Sequence, residues 1–376
     1  MPMIIRNANV FKECGWFELD DIYIEDAQFV SKTTGKHEVM DGSNLFAIPG
    51  LVDIHFHGCV NYDFCDGTPE SLKAIAKYEA SCGVTAIAPA SMTLPEEILL
   101  KIFKNAANYK QQDGAALVGI NMEGPFLSEK KKGAQNSSYL HKPDMDMFKR
   151  LEKAADGLIK LVDVAPEEPG ALEFINELKN TVTVSIAHTT ADYNTAKIAF
   201  EAGASHVTHL YNAMPVMTNR EPGVVGAACD HPNCRYVELI CDGIHIHPAM
   251  VRNTFKMFGD DRIVLISDSM MATGMPDGQY ALGGQPVRKD GNRAVIMDTG
   301  TLAGSVTNLM DCLRTAVKEM EIPLEKAVKC ATMNPAKAIG IYDKYGSITP
   351  GKTANLVLLN KDLEIKNVIL NGIALL

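Results

Sequence analysis

The chain reads as an α/β protein: a (β/α)8 TIM-type barrel carrying a second, small β-sandwich domain built from both chain termini. Three observations predict this. Eight short apolar runs recur through the middle of the chain, most gaps between them show helical periodicity, and ionisable residues recur at the C-terminal ends of the runs. The two ends of the chain lack that alternation and resemble each other.

Residues 1–48 break into strand-like pieces, MIIRNANVF, ELDDIYIEDAQFV and HEVMDGSNLFAIPG, separated by turn residues. The C-terminal GSITPGKTANLVLLNKDLEIKNVILNG (346–372) repeats the pattern. Residues 1–48 and 345–376 are therefore assigned to the small domain and 49–344 to the barrel. Within the barrel the apolar runs are LVDIHFHG (51–58), VTAIAPAS (84–91), LVGINMEG (117–124), IKLVDVAPE (159–167), VTVSIAHTT (182–190), HVTHLYNA (206–213), YVELICDG (236–243) and IVLISDS (263–269). PESLKAIAKYEASCG (69–83) and ADYNTAKIAFEAGA (191–204) are amphipathic helices between them. The gap after the sixth run, with EPGVVGAA (221–228), is rich in Gly and Pro and reads as a loop. An open doubly wound sheet is the structural alternative. The count of eight, with polar residues at one end of each run, favours the barrel.

Composition narrows the partners. With 376 residues, 46% hydrophobic, the chain can bury a large core. Its net charge of −10 argues against a nucleic-acid surface, and KKK (130–132) is too short to be a polybasic arm. Nine cysteines, odd in number and without a C-x-x-C pair, read as reduced thiols. The N-terminal run is too short for a signal peptide, and no apolar stretch approaches a membrane span. A cytoplasmic protein binding neither membrane nor nucleic acid is expected.

The run VDIHFHG aims two imidazoles at one place. His55 and His57, at spacing two on a strand, share a face, with Asp53 in line. A single such histidine is commonly satisfied by a backbone carbonyl; a pair reads as metal ligation. Other strand ends supply Glu123, His188, His209, Asp242, His245 and Asp268. Taken singly, Glu123 could cap a helix and His188 could be a core imidazole. Together, Glu123, His188 and His209 offer one hard oxygen and two imidazole nitrogens, a three-ligand set that leaves a position for water.

These residues carry a resemblance. PGLVDIHFHG, NMEGPFLS, AHTTADY, THLYNAMP, CDGIHIHP, LISDSM and GTLAGS resemble the amidohydrolase superfamily. Within it the chain is similar, almost end to end, to the N-acetylglucosamine-6-phosphate deacetylase family. The resemblance implies hydrolysis of the acetamide to glucosamine-6-phosphate and acetate, in amino-sugar catabolism and cell-wall sugar recycling. It implies one or two divalent metals per subunit, zinc foremost, with iron, cobalt or manganese as the others. Glu123, His188 and His209 match the principal metal ligands, and Asp268 the general acid/base acting on a metal-activated water. His245 matches a contact near the reacting group, and Asn212 and Ala213 match contacts to the sugar phosphate. Arg220 matches an arginine reaching a neighbouring subunit's substrate, which implies a homodimer.

Departures from the pattern matter too. Both His55 and His57 are retained, so a second metal there is expected. No lysine stands in LVDVAPE to bridge two metals, so Glu123 has to bridge them. Gln135 stands where some members place a histidine that contacts substrate. The rival readings are another amidohydrolase, such as a cyclic-amide hydrolase or deaminase, and a non-enzymatic scaffold. The first would not need the HLYNAM and NREPG segments, and the second would not keep every ligand.

Overall fold

Alternating burial joins the two chain ends. In the computed structural model, which describes residues 2–110 and 113–375, strand Phe46–Pro49 pairs parallel with Met3–Phe11 and antiparallel with Leu356–Leu359. Five strands before residue 50 and three after residue 355 thus share one eight-stranded sheet. Side chains of a strand alternate between its faces, and this sheet uses both. Ala47, Leu356 and Leu358 pack with Met3, Ile5 and Phe29 in a small core, while Ile48, Val357 and Leu359 join the large core. The strand Phe46–Pro49 runs across the boundary expected at residue 48.

The middle of the chain is α/β with parallel strands in chain order. Leu51–Asp53, Val84–Ile87 and Ala116–Leu117 form one arc, and Ile120–Met122, Ile159–Val164, Thr183–Ile186, His206–Val207, Tyr236–Ile240 and Ile263–Ile266 form a second. A bridge between Ala90 and Asn121 links the arcs at one seam. At the other seam, the Asp268 N–H donates to the His55 carbonyl at 2.9 Å and the His57 N–H to the Ser269 carbonyl at 2.7 Å. Val84–Ile87 and Ile263–Ile266 are buried along their whole length, as expected of strands covered on both faces.

Helices cover the outside. Pro69–Ser81 begins at Thr68, whose side chain accepts the Ser71 N–H, and buries Leu72, Ile75, Ala76 and Ala80 at helical spacing. Tyr193–Ala202 begins at Asp192 and stops at Gly203, burying Ala196, Ala199 and Phe200. The expected loop at 221–228 is corrected: Gly223–Asp230 is a helix packed on Tyr193–Ala202. Its glycines act as small packing residues beside buried Val224, Val225, Ala227 and Ala228, so burial outweighs their helix-breaking tendency.

Beyond the last parallel strand, Ile263–Ile266, the strands Gly278–Leu282, Gln285–Asp290 and Arg293–Ile296 form a separate antiparallel sheet. Its Leu282, Val287, Ala294 and Ile296 pack on Met92 and Met270, which holds it over the strand ends.

Candidate active site

Because the strands are parallel, their C-terminal ends open on one side, and the polar residues gather there. The first strand ends at Asp53, so His55 and His57 lie beyond it rather than on its face. They converge all the same, with ring centroids 5.8 Å apart. His188, His209 and Asp268 follow their strands with φ of 41°, 29° and 48°. This left-handed backbone is uncommon for residues other than glycine and marks positions held against local preference.

Two triads of ligand atoms result, each within 4.8 Å: His55, His57 and Asp268, and Glu123, His188 and His209. Glu123 lies between them. Its Oε1 is 3.0 Å from His188 Nε2 and 3.3 Å from His209 Nε2. The same oxygen is 3.5 Å from His55 Nε2, and Oε2 is 3.4 Å from His57 Nε2. Asp268 Oδ1 is 3.3 Å from His57 Nε2.

The donor set fits a divalent cation. His188 Nδ1 lies 2.8 Å from the Lys131 carbonyl, which only accepts, so Nδ1 carries a proton and Nε2 is the nitrogen that would be offered to a cation. That Nε2 is 3.1 Å from His209 Nε2, a separation that needs a proton or a cation to offset lone-pair repulsion. His55 Nε2 is buried with no hydrogen-bond partner among the described residues. Two nitrogens and one oxygen per triad suit a first-row transition metal.

The electrostatics agree. Burial alone would push Glu123 up, but the His55 charge and hydrogen bonds from His188 and His209 hold it well below the usual carboxylate range. Asp268 is likewise pushed up by burial, yet lies lower than usual through its hydrogen bond to His57 and the charges of both strand-one histidines. Burial would lower His55, whereas Glu238 and Glu123 raise it well above its ordinary value.

A cleft of about 460 Å³ opens above the triads, within the range of small-molecule sites. His57, Glu123, His188, His209, His245, Asp268, Asn212, Ala213 and Gln135 all line it. His245 is held by Asp242, with Nδ1 2.7 Å from Oδ2. Asn212 braces its turn by donating to the His209 and Leu210 carbonyls at 3.2 and 3.3 Å. Gln135 has both ends of its amide on protein groups, Thr93 and Glu123. Arg220 is exposed and outside this cleft.

Sequence reasoning missed three contributors. Glu238, buried inside the strands, takes His55 Nδ1 at 2.9 Å, and His206 Nε2 reaches its other oxygen at 3.1 Å. Leu282, Gln285, Ile296, Thr299 and Thr301, on and beside the antiparallel sheet, roof the cleft. Lys130, Lys131 and Lys132, read from sequence only as a charge run, form part of its wall.

Comparison with known proteins agrees with this geometry. The amidohydrolase family model matches residues 46–374. The N-acetylglucosamine-6-phosphate deacetylase of Bacillus subtilis (strain 168) is 37% identical over 341 residues, 89% of this chain and 86% of that protein. The N-acetylgalactosamine-6-phosphate deacetylase of Escherichia coli O157:H7 is 31% identical over 375 residues, 99% of each. A solved mutant N-acetyl-D-glucosamine-6-phosphate deacetylase from Mycobacterium smegmatis, in complex with N-acetyl-D-glucosamine-6-phosphate, superposes with a TM-score of 0.91 at 30% identity, covering 100% of this chain and 98% of that one. With its family match, its relatives and its paired ligand triads in agreement, this chain belongs to the amidohydrolase family.

Proposed function

We propose that this protein hydrolyses N-acetylglucosamine-6-phosphate to glucosamine-6-phosphate and acetate, serving amino-sugar catabolism and cell-wall sugar recycling. The observation that carries the reading is the meeting of both ligand triads at Glu123, on the floor of a cleft walled by Lys130–Lys132 and the Asn212–Ala213 turn. The relatives named for this reaction support it.

Glu123, His188 and His209 would hold the principal cation, and His55 and His57 a second, with the Glu123 carboxylate lying between the two sets of imidazoles. Zinc is the first choice, with iron, cobalt and manganese open to the same donors. A bound cation supplies Lewis acidity, making water a better nucleophile and an amide carbonyl a better electrophile. Asp268 accepts the proton of the attacking water and returns it to the departing amine nitrogen. His245, with Nδ1 donating to Asp242, donates its Nε2–H to the acetyl oxygen as the imidazolium that the Asp242 carboxylate favours. Asn212 and Ala213 contact the sugar phosphate.

The Arg220 backbone N–H donates to Thr218 Oγ1 at 3.4 Å, its guanidinium has no hydrogen-bond or ion-pair partner among the described residues, and exposed Val216 and Met217 precede it in the chain. This apolar and cationic edge supports a homodimer in which Arg220 reaches the phosphate in the neighbouring cleft. The two arcs of parallel strands close as a (β/α)8 barrel over residues 49–344, supported by the hydrogen bonds at both seams. Residues 1–48 and 345–376 make the small sandwich domain, supported by their shared sheet and separate core. A cytoplasmic location is supported by nine unpaired cysteines.

The test is direct. Purified protein is incubated with N-acetylglucosamine-6-phosphate, and with its galactosamine epimer because of the relative from Escherichia coli. Acetate and ammonia are both assayed, with and without a chelator. Chelator-sensitive acetate release, fastest on the glucosamine substrate, is expected. Ammonia without acetate would assign a deaminase, and faster release from the epimer would move the substrate.

A further inference from the structure

We propose that Gln135 is a positioning residue for Glu123, orienting that carboxylate toward the cation rather than contacting the substrate. The proposal rests on the reading of Glu123, His188 and His209 as a cation site. Gln135 is only 2% exposed, and both ends of its amide are engaged. One end receives the backbone N–H of Thr93 at 2.7 Å. A backbone N–H only donates, so that end is the carbonyl oxygen. The amide nitrogen is thereby the end that faces Glu123, donating to Oε2 at 2.8 Å. The neighbouring backbone is held as well: the Gln135 N–H donates to the Lys132 carbonyl at 2.8 Å, and Lys132 Nζ donates to the Gln135 carbonyl at 3.3 Å.

The consequence falls on the two oxygens of Glu123. The terminal torsion of a glutamate is soft, so one anchored oxygen decides where the other points. With Oε2 held by Gln135, Oε1 is the oxygen offered beside His188 and His209, at 3.0 and 3.3 Å. A carboxylate oxygen has two acceptor directions, so Oε2 can still serve the triad of His57, 3.4 Å away. The clamp thus orders a side chain that belongs to one triad and lies within 3.5 Å of the histidines of the other, before any cation arrives. Outer partners of this kind typically contribute about tenfold to hundredfold in metal affinity.

Gln135→Met keeps the length of the side chain and removes both donor and acceptor. Zinc is titrated into metal-free wild type, Gln135→Met and Glu123→Ala in competition with a chromophoric chelator, and KM is measured at saturating zinc. Wild type is expected to bind tightly and Glu123→Ala to lose the site. Gln135→Met is expected to bind about tenfold to hundredfold more weakly, with KM for the sugar phosphate unchanged. Gln135→Asn, too short to span Thr93 and Glu123, is expected to shift affinity the same way and serves if the methionine variant does not fold. Wild-type zinc affinity in whichever variant folds overturns the proposal. So does a raised KM with unchanged affinity, which would make Gln135 a substrate contact. Wild type that binds no zinc would instead overturn the cation site itself, and the clamp with it.

Discussion

Glu238 accepts the Nδ1–H of His55 across 2.9 Å, deep among the parallel strands and out of reach of the cleft. A carboxylate behind a ligand imidazole fixes its tautomer and raises its basicity. The same oxygen takes the His209 backbone N–H at 3.0 Å, so one buried side chain braces both triads. Glu238→Gln keeps the shape and removes the charge. It is expected to weaken cation binding at His55 and His57 by about tenfold to hundredfold. Stepwise metal titration checks this: the weaker step should move, and an unmoved curve would leave Glu238 a structural group only.

Asp268 is the proposed proton carrier, 3.3 Å from His57 at the cleft floor. Asp268→Asn keeps the shape but cannot take the proton of water. Turnover should fall at least about a hundredfold, the low end for lost general acid–base catalysis. Metal analysis should find the Glu123, His188 and His209 site still filled. Near-normal turnover at full metal content would assign the proton transfer elsewhere.

The two triads should respond differently to loss of ligands. His188→Ala or His209→Ala should empty the principal site and abolish acetate release, because two protein ligands rarely hold a catalytic metal. A combined His55→Ala and His57→Ala change should lower the metal count and leave measurable activity. A dead double variant that retains its principal metal would reverse that ranking.

How much of this was readable varies with the physics involved. The parallel strands were legible because strands covered on both faces are continuous apolar runs, as in VTAI and IVLI. His188, His209 and Asp268 were legible from position, at the ends of such runs. Their left-handed backbone was not, since tertiary contacts impose it. Glu238 sits inside YVELI, where the strand signal hides it, although a lone carboxylate in a buried run implies a buried partner. The antiparallel sheet over the cleft left a trace as well. Gly283 and Gly284 form the two-residue connection between Gly278–Leu282 and Gln285–Asp290, a Gly-Gly hairpin signal in the sequence. The helix at Gly223–Asp230 was hidden by its own glycines, whose close packing only the folded chain reveals.

Glu79 gives stability a pH dependence unrelated to catalysis. It is fully buried, neither carboxyl oxygen has a hydrogen-bond partner among the described residues, and burial together with the nearby Asp53 pushes its pKa from 4.5 up to about 8. The folded state therefore keeps this proton while the unfolded chain releases it above about pH 4.5. The associated stability is fully present below pH 4.5 and is lost as pH rises through 8. The span corresponds to an upper bound of about 5 kcal/mol. Glu79→Gln is neutral throughout, so its melting temperature should fall less than that of wild type between pH 5 and pH 8. Parallel pH profiles would refute the assignment.

Arg220 tests both the phosphate and the dimer. Phosphate lies far from the acetyl carbonyl, so its contacts serve binding and positioning more than bond breaking. A charge-assisted hydrogen bond of roughly 1.5–3 kcal/mol corresponds to about tenfold to hundredfold in affinity. Arg220→Ala should therefore raise KM for the phosphorylated sugar and barely change activity on unphosphorylated N-acetylglucosamine. Because Arg220 is exposed and outside the cleft of its own chain, its phosphate should belong to a neighbour. Mixed dimers of Arg220→Ala with Asp268→Asn should then regain activity, since one of the two clefts combines an intact Asp268 with an intact Arg220 from the other subunit. Verified mixed dimers without recovery would remove the cross-subunit contact, and equal losses on both substrates would remove the phosphate role.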